Sequence, residues 1–565
     1  MKNKLVWIAP SLIVLVYFAY NFFFSVNFPF QDDLLLIQFI EAVSQGHLGF
    51  TGTIHEMFRT FNDHKAVVPR FISLVEYGLT GTLNFRFYIV LVSVNITYIF
   101  YFLYLQFRKT GLPIYYLLPA FLLYFHPLYH DVSGWALNGM QHTFLTAFTV
   151  TAILLVARNT KIALALAIFC CFLATFTHGN GILSYPAVVF YLLCIKAYKK
   201  AGIVLVGMFA SLGVYLIGYE SGQAMHLPDN VITFVTSLFG LVGSLVSLWG
   251  QPELWSVLFG ILICVAGFIL LFRIIWFYKG STLPLKPGVL ELLSVLVFIF
   301  ITSLVIAIFR SWAGTTITSR FQLYTCMSTV IFYIFLLNYL PVFRKRGVLA
   351  GMICISLFYW AYSYYTYTTI VARKKAEYQA DLYNWKYNRN MFSVPRLLLV
   401  NADFYLTPAY EKGIFNPTAP PVSKQVVDSL FALPASTSER YESYIETAKP
   451  DTSPANTADY DSYYYVSSIK LPAYKHFLDD RFLVLRDTKT GKTFLKNGNP
   501  RIQSRQVILT KGQYYKPGFS AFFRPDDLDA GVYQMAILDI YRSGDKKFYR
   551  IDNDLKMQDG VYRIQ

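Results

Sequence analysis

The sequence predicts a polytopic α-helical membrane protein with a C-terminal β domain. Three observations predict it. The chain has 565 residues, of which 55% are hydrophobic and only 15% charged, a composition of membrane bundles rather than soluble domains. Apolar runs of about 20 residues recur, long enough to cross a hydrocarbon core. From about residue 461 these give way to short alternating runs separated by turn residues, the pattern of a β-sandwich. The net charge of +16 does not point to nucleic acid. Much of the excess sits in short loops between apolar runs, which is the orientation signal of membrane proteins.

The first run, Leu5 to Val26, follows Lys2 and Lys4. It is too long for a signal-peptide core and lacks a small-residue cleavage site before Asp32, so it reads as a retained anchor with a cytoplasmic N-terminus. Further spans are expected at 86–107, 113–126, 139–157, 161–177, 181–195, 201–219, 253–272, 290–309, 317–340 and 347–371, making eleven crossings. Two more apolar segments, 66–82 and 231–249, are coupled by parity. If both crossed, Arg108-Lys109, Arg158 with Lys161, and Lys196 with Lys199-Lys200 would leave the cytoplasmic side that the positive-inside rule requires. Both are therefore expected to lie on, or dip into, the outer face as horizontal helices. Segment 66–82 also holds Arg70 and Glu76, each costing roughly 2.5–3.5 kcal/mol near a helix centre. Segment 231–249 has no charge, and only parity speaks against its crossing.

This topology leaves short basic loops inside. It gathers Asp32, Asp33, Asp63, His64, His126, His130, Asp131, Asn138, Gln141, His142, His178, Asn180, Glu220, Arg310 and Arg320 on the outer face. The expected domains are a transmembrane part over 1–371, a connecting helix and linker over 372–457, and a periplasmic immunoglobulin-like β-sandwich over 458–565. The helix runs from Arg373 to Asn390, and the linker is marked by Pro417 to Pro421 and by 434–457. Strands are expected at Tyr463–Ile469, Phe482–Arg486, Lys492–Leu495, Gln506–Thr510, Phe519–Phe523, Tyr533–Ile540 and Lys547–Ile551. Asp529-Ala530-Gly531-Val532-Tyr533 looks like a tyrosine corner. The domain reads either as a carbohydrate- or acceptor-binding module or as a structural lid. All six cysteines precede it, so it offers no disulfide framework or zinc site.

Three stretches carry chemistry. Asp32 and Asp33 follow the first span and precede an amphipathic stretch. One Asp can cap a helix, but capping does not explain two in a row. A carboxylate there can take a proton from an acceptor hydroxyl as general base, with burial raising its pKa. Next come His64, Lys65 and Arg70, which suit a phosphate, or else snorkel to headgroups as interfacial residues do. Third, Arg310 and Arg320 flank an outer loop with Trp312. Arginine offers multidentate donors to phosphate oxygens, although cations near helix ends are also ordinary anchors. Trp135, Gln141, His142, His178 and Asn180 are weaker candidates for holding a sugar. The histidines are not at metal-ligand spacing, so no metal or other cofactor is called, a divalent ion remaining open.

The placement of Gln31-Asp32-Asp33, of His64-Lys65 to Pro69-Arg70, and of Arg310 with Ser319-Arg320-Phe321 resembles the GT-C superfamily of integral-membrane glycosyltransferases. It is most similar to the bacterial cell-surface polysaccharide type with a C-terminal periplasmic β domain. The resemblance covers roughly 1–371. It implies an inner-membrane enzyme that moves a sugar from a polyprenyl-phosphate donor to a lipid-linked glycan, such as O-antigen, or another envelope acceptor. It carries the catalytic acid to Asp32 or Asp33. The other two motifs match loosely. The pair of prolines frequent in that family's first outer loop is reduced here to Pro69. The partners implied are that donor, that acceptor and membrane lipids, with no nucleic acid. Two other classes compete: a flippase or transporter of lipid-linked sugars, which needs broken helices and polar groups inside the spans, and a non-enzymatic scaffold whose β domain binds glycan.

Overall fold

The computed structural model describes residues 6–61, 64–220, 227–248, 251–277, 285–311, 317–433, 439–448 and 463–565. Asp63, Trp312 and most of the 434–457 linker lie outside the described residues. The chain divides into two compact units. One comprises Met1–Ser25 and Leu35–Thr368, the other Val26–Leu34 and Thr369–Gln565. The second thus includes the segment bearing Asp32 and Asp33, which the sequence reading assigned to the transmembrane part.

The first unit is helical. Its elements are α1 (Ile8–Phe24), α2 (Leu34–Ser44), α3 (Gly49–Phe58), α4 (Val67–Thr80), α5 (Phe85–Arg108), α6 (Leu118–Leu122), α7 (His130–Gly134), α8 (Ala136–Val156), α9 (Lys161–Thr175), α10 (Ser184–Cys194), α11 (Tyr198–Leu216), α12 (Val231–Gly243), α13 (Pro252–Phe277), α14 (Val289–Arg310), α15 (Gln322–Tyr339) and the start of α16 (Arg346–Asn388). Among the described residues, eight helices are long and apolar enough to cross a membrane: Phe85–Arg108, Ala136–Val156, Tyr198–Leu216, Val231–Leu248, Pro252–Phe277, Val289–Arg310, Ser319–Tyr339 and Arg346–Asn388. Ile8–Phe24, Lys161–Thr175 and Gly179–Cys194 are apolar but shorter. Segment 231–249 thus forms a helix of crossing length.

The span expected at 113–126 is not one helix. A 3₁₀ turn (Ile114–Leu117), the five-residue α6 and a further 3₁₀ turn (Pro127–Tyr129) replace it. Pro113, Pro119 and Pro127 explain the break, because proline is tolerated at a helix start but not in its interior.

Contacts within this unit define two ends. At one end Lys109 pairs with Glu291 at 2.6 Å, Lys286 donates to the Asn338 carbonyl at 2.6 Å, and Arg344 donates to the Leu337 carbonyl at 2.7 Å. Cations there meet the unsatisfied carbonyls that close α15. At the other end of α5 and α14 lie the loops around 61–66, 176–181 and 318–322, which build the site described below.

In the second unit α16 runs out to Asn388 and is followed by α17 (Arg396–Glu411) and α18 (Lys424–Ala432). The strands are β1 (Arg440–Tyr441), β2 (Tyr444–Ala448), β3 (Tyr463–Ser468), β4 (Asp480–Asp487), β5 (Thr493–Asn497), β6 (Asn499–Ile502), β7 (Tyr515–Phe523), β8 (Gly531–Ile540), β9 (Lys546–Ile551), β10 (Leu555–Gln558) and β11 (Val561–Ile564). One sheet has the order β1-β9-β8-β10-β11, with β4 paired to β8 and β5 paired to β4; the other has the order β2-β3-β7-β6. Strand alternation explains β4. Leu483 and Leu485 join Val466, Phe519 and Phe523 of the other sheet in one core. Phe482 and Val484 point the opposite way, onto Tyr383 of α16 and Val427 and Phe431 of α18. A strand covered on both faces reads as an unbroken apolar run, as Phe482–Leu485 does.

The strand expected at Gln506–Thr510 is instead a helix, α19 (Arg505–Lys511). Ser504 accepts from the Val507 N–H at its start, and Gly512 closes it at φ 65°; both are helix-end signals that outrank the β-branched content. The Tyr533 hydroxyl donates to the Asp529 carbonyl at 2.8 Å, the contact expected of that run.

Candidate functional site

The two acidic residues at the first outer segment are not equivalent. Gln31 is forced to a positive φ of 45°, a costly conformation for a residue with a side chain. The turn that follows, Gln31–Asp33, is closed by Asp33, whose carboxylate accepts the Phe30 N–H at 3.0 Å. Asp33 is buried, whereas Asp32 is half-buried. The capping role therefore belongs to Asp33. The segment is tied into its unit by Asn27, which donates to the Asn416 carbonyl at 2.8 Å and accepts from the Thr418 N–H at 3.3 Å.

The first unit brings together residues from three separate loops. Phe61 and His64 exchange both backbone hydrogen bonds, at 2.8 and 2.9 Å. Ala66 then turns through φ 39°, which lets Val67 N–H reach the Phe176 carbonyl at 2.7 Å. This docks residues 64–67 on the 176–181 loop and packs His64 on His178, with ring centroids 3.8 Å apart. His142, nearly two turns inside α8, lies 5.3 Å from His178 by the same measure, and its Nδ1 is 3.2 Å from the Tyr324 hydroxyl of α15. Phe321 closes the row, edge-on to His142 at 5.8 Å, and carries the Arg320 guanidinium 5.3 Å above its ring. Asn180 donates to Thr302 of α14 at 3.2 Å.

Two glycines make this possible. A Cβ on Gly181 would sit 1.9 Å from the Ala174 carbonyl oxygen. One on Gly179 would lie 2.9 Å from the Tyr215 hydroxyl and 3.3 Å from His64 Nδ1. The His178 Nδ1 accepts the Asn180 N–H at 3.3 Å, so its proton in the neutral ring sits on Nε2. Burial, first, and then the charges of His64, His142, Arg310 and Arg320 hold His178 well below the usual imidazole range. His64, His178 and Asn180 remain half-exposed, and Arg310 and Arg320 are exposed. The result is a cation-rich cluster of imidazole and guanidinium groups, suited to an anion that brings its own charge.

The other predicted residues separate from this cluster. Arg70 is buried and donates through Nη1 to the carbonyls of Met57, Arg59 and Lys65, so it holds the loop rather than facing a ligand. Lys65, also buried, donates to the Ile217 carbonyl at 2.6 Å. Burial lowers its pKa. Trp135 sits at the break between α7 and α8. Gln141 is half-buried on α8, turned about 100° from His142. His126 is a core histidine, with ring nitrogens near the Leu123 carbonyl (3.0 Å) and Ser363 (3.2 Å). The sequence reading assigned no site role to Tyr324 or to Phe321, although Phe321 stands in the Ser319-Arg320-Phe321 motif; their place beside Arg320 was the available signal. Among the described residues no group of three or more His, Cys, Asp or Glu is placed to hold a metal ion.

No family model matches the chain, and no curated protein or solved structure matches it.

Proposed function

We propose that the protein is a glycosyltransferase that moves a sugar from a polyprenyl-phosphate donor to a lipid-linked glycan or other envelope acceptor. The observation that carries the reading is the meeting of His64, His142, His178 and Asn180 with the charges of Arg310 and Arg320 at one end of an apolar bundle. In this reading Arg310, Arg320 and the histidines receive the donor phosphate and neutralise the charge that develops as it leaves. Asp32 takes the proton of the acceptor hydroxyl, and Asp33 keeps the turn in shape. The bond from the sugar anomeric carbon to the phosphate oxygen breaks, the bond from that carbon to the acceptor oxygen forms with inversion, and polyprenyl phosphate departs. Arg70 and Lys65 are left out of the phosphate set because backbone carbonyls already occupy them.

The accompanying architecture is GT-C-like: about eleven crossings with horizontal outer helices, a bacterial inner membrane, a cytoplasmic N-terminus, and a periplasmic immunoglobulin-like sandwich formed by the two sheets. The broken stretch Ile114–Gly134 favours one rival, since transporters of lipid-linked sugars use interrupted helices. The two are separated with the purified chain in proteoliposomes supplied with a polyprenyl-phosphate sugar extract and an acceptor lipid extract. Transfer releases polyprenyl phosphate, and Asp32→Asn abolishes that release. Movement of intact donor across the bilayer without bond cleavage overturns the proposal.

A further inference from the structure

Helix α4 has its two sides reversed. On a water-soluble fold a surface helix turns its apolar stripe inward and its charges outward. In α4 the exposed row is Phe71 (55%), Val75 (45%) and Leu79 (81%), spaced four residues apart and so on one face. Arg70 and Glu76 are instead buried, at 2% and 7% exposure, and Ser73 between them is buried as well.

The buried polar side chains bond to protein. Arg70 donates to three backbone carbonyls, and its guanidinium lies 5.9 Å from the Phe39 ring of α2. Ser73 donates to the Arg70 carbonyl at 2.8 Å, and Glu76 accepts the Asn84 N–H at 3.2 Å. Thr80, exposed in the last turn, turns its hydroxyl back to the Glu76 and Thr82 carbonyls. The outward row itself carries no polar side chain.

Both ends of α4 are tied to the same end of the bundle. At its start the Val67 N–H reaches the Phe176 carbonyl, just past α9. Near its finish Glu76 holds Asn84, the residue that caps α5. Its 14 residues extend about 21 Å, short of the ~20 residues that a crossing takes. The helix therefore lies along this end of the bundle and does not pass through it.

Its neighbour indicates what covers the row. Helix α5 is of crossing length and exposes Phe87, Val94 and Tyr101, seven residues apart and again on one side. That side meets lipid, and the row on α4 stands only the turn 81–84 away from it. Three side chains are far fewer than the about 20–30 residues that a protein partner engages on each side, whereas acyl chains need no such area. We propose that α4 is sunk along the lipid leaflet on this side of the bundle, with Phe71, Val75 and Leu79 as a contact surface for acyl chains that begins seven positions after His64.

The inference does not depend on what the histidine–arginine cluster does, and it is tested apart from transfer. Benzoylphenylalanine is placed at position 71, 75 or 79 of the full chain in proteoliposomes of phosphatidylethanolamine and phosphatidylglycerol, then irradiated. Mass spectrometry is expected to find a phospholipid adduct at each position, as at Tyr101 of α5, and none at Lys489, on an exposed turn of the second unit. Loss of the lipid adduct at 71, 75 and 79, or covalent dimers of the chain in its place, overturns the proposal. A fluorinated phenylalanine at position 71, close in size to the native side chain, gives an independent reading. Its fluorine signal is expected to broaden with a nitroxide on the acyl chain and to stay sharp with a water-soluble nitroxide. The reverse pattern overturns the proposal.

Discussion

His64 and His178 pack with their ring centroids 3.8 Å apart, although 114 positions separate them in sequence. The packing exists because the Val67 N–H reaches the Phe176 carbonyl. His178 stands between His64 and the pair His142–Tyr324, so its loss breaks the row in the middle. His178→Ala is expected to reduce transfer by at least about tenfold, with protein level kept, because His178 lies in the loop between two helices and its removal leaves them intact. Normal levels of product in cells carrying that variant contradict the assignment.

Protonation of His178 gives a second expectation. Its folded-state pKa is depressed by burial and by its cationic neighbours, while the unfolded value is near 6.5. Below about 6.5 the unfolded chain binds a proton that the folded chain refuses, so stability falls as pH falls. Thermal unfolding of the full chain in nanodiscs, from about pH 7.5 to about pH 5.5, shows this decline. His178→Gln makes it shallower. A bound phosphate, which favours the charged ring, also makes it shallower in the parent chain.

The glycines of the 176–181 loop differ in what surrounds them. Gly181→Ala pushes a methyl group to 1.9 Å from a backbone oxygen, so that protein is expected not to accumulate. Gly179→Ala meets the Tyr215 hydroxyl and His64 Nδ1, both on side chains that can shift. It is expected to yield folded protein with reduced transfer. Expression level and product, measured together, check both.

The Asp32–Asp33 pair separates by readout. Asp33→Ala removes the acceptor for the Phe30 N–H and costs about 1 kcal/mol of stability, as loss of a cap does. Asp32→Asn leaves the unfolding temperature in place and removes activity. Equal effects of the two variants on both readouts contradict the division.

Arg481 and Asp539 are directly opposed on β4 and β8 and almost wholly buried. Asp539→Ala strands a buried guanidinium and is expected to cost about 3–5 kcal/mol. Arg481→Met combined with Asp539→Leu recovers most of it, because no charge is left without its partner. Chemical denaturation of the full chain measures the difference.

Much of the helical unit was legible, because long apolar runs have few alternatives to a helix of crossing length. The stretch 113–126 was misread because hydropathy ignores proline spacing: Pro113, Pro119 and Pro127 interrupt an otherwise apolar run. Gln506–Thr510 was misread because Val507, Ile508 and Thr510 suit a strand, while the decisive signals, Ser504 and Gly512, lie just outside the run. In the site, His64, His142, His178, Asn180, Arg310 and Arg320 were all named from residue type and outer-loop position. The work of Arg70 was not legible, since its partners are backbone carbonyls that no side-chain pattern announces. Nor was the division between Asp32 and Asp33, which follows from the backbone turn at Gln31.

Mass spectrometry of envelope glycans in a deletion strain tests the central claim most directly. The account predicts that deletion removes a sugar residue from one glycan, that the parent chain restores it, and that Asp32→Asn expressed at the same level does not. Identical glycans with and without the gene, or full restoration by Asp32→Asn, would contradict it.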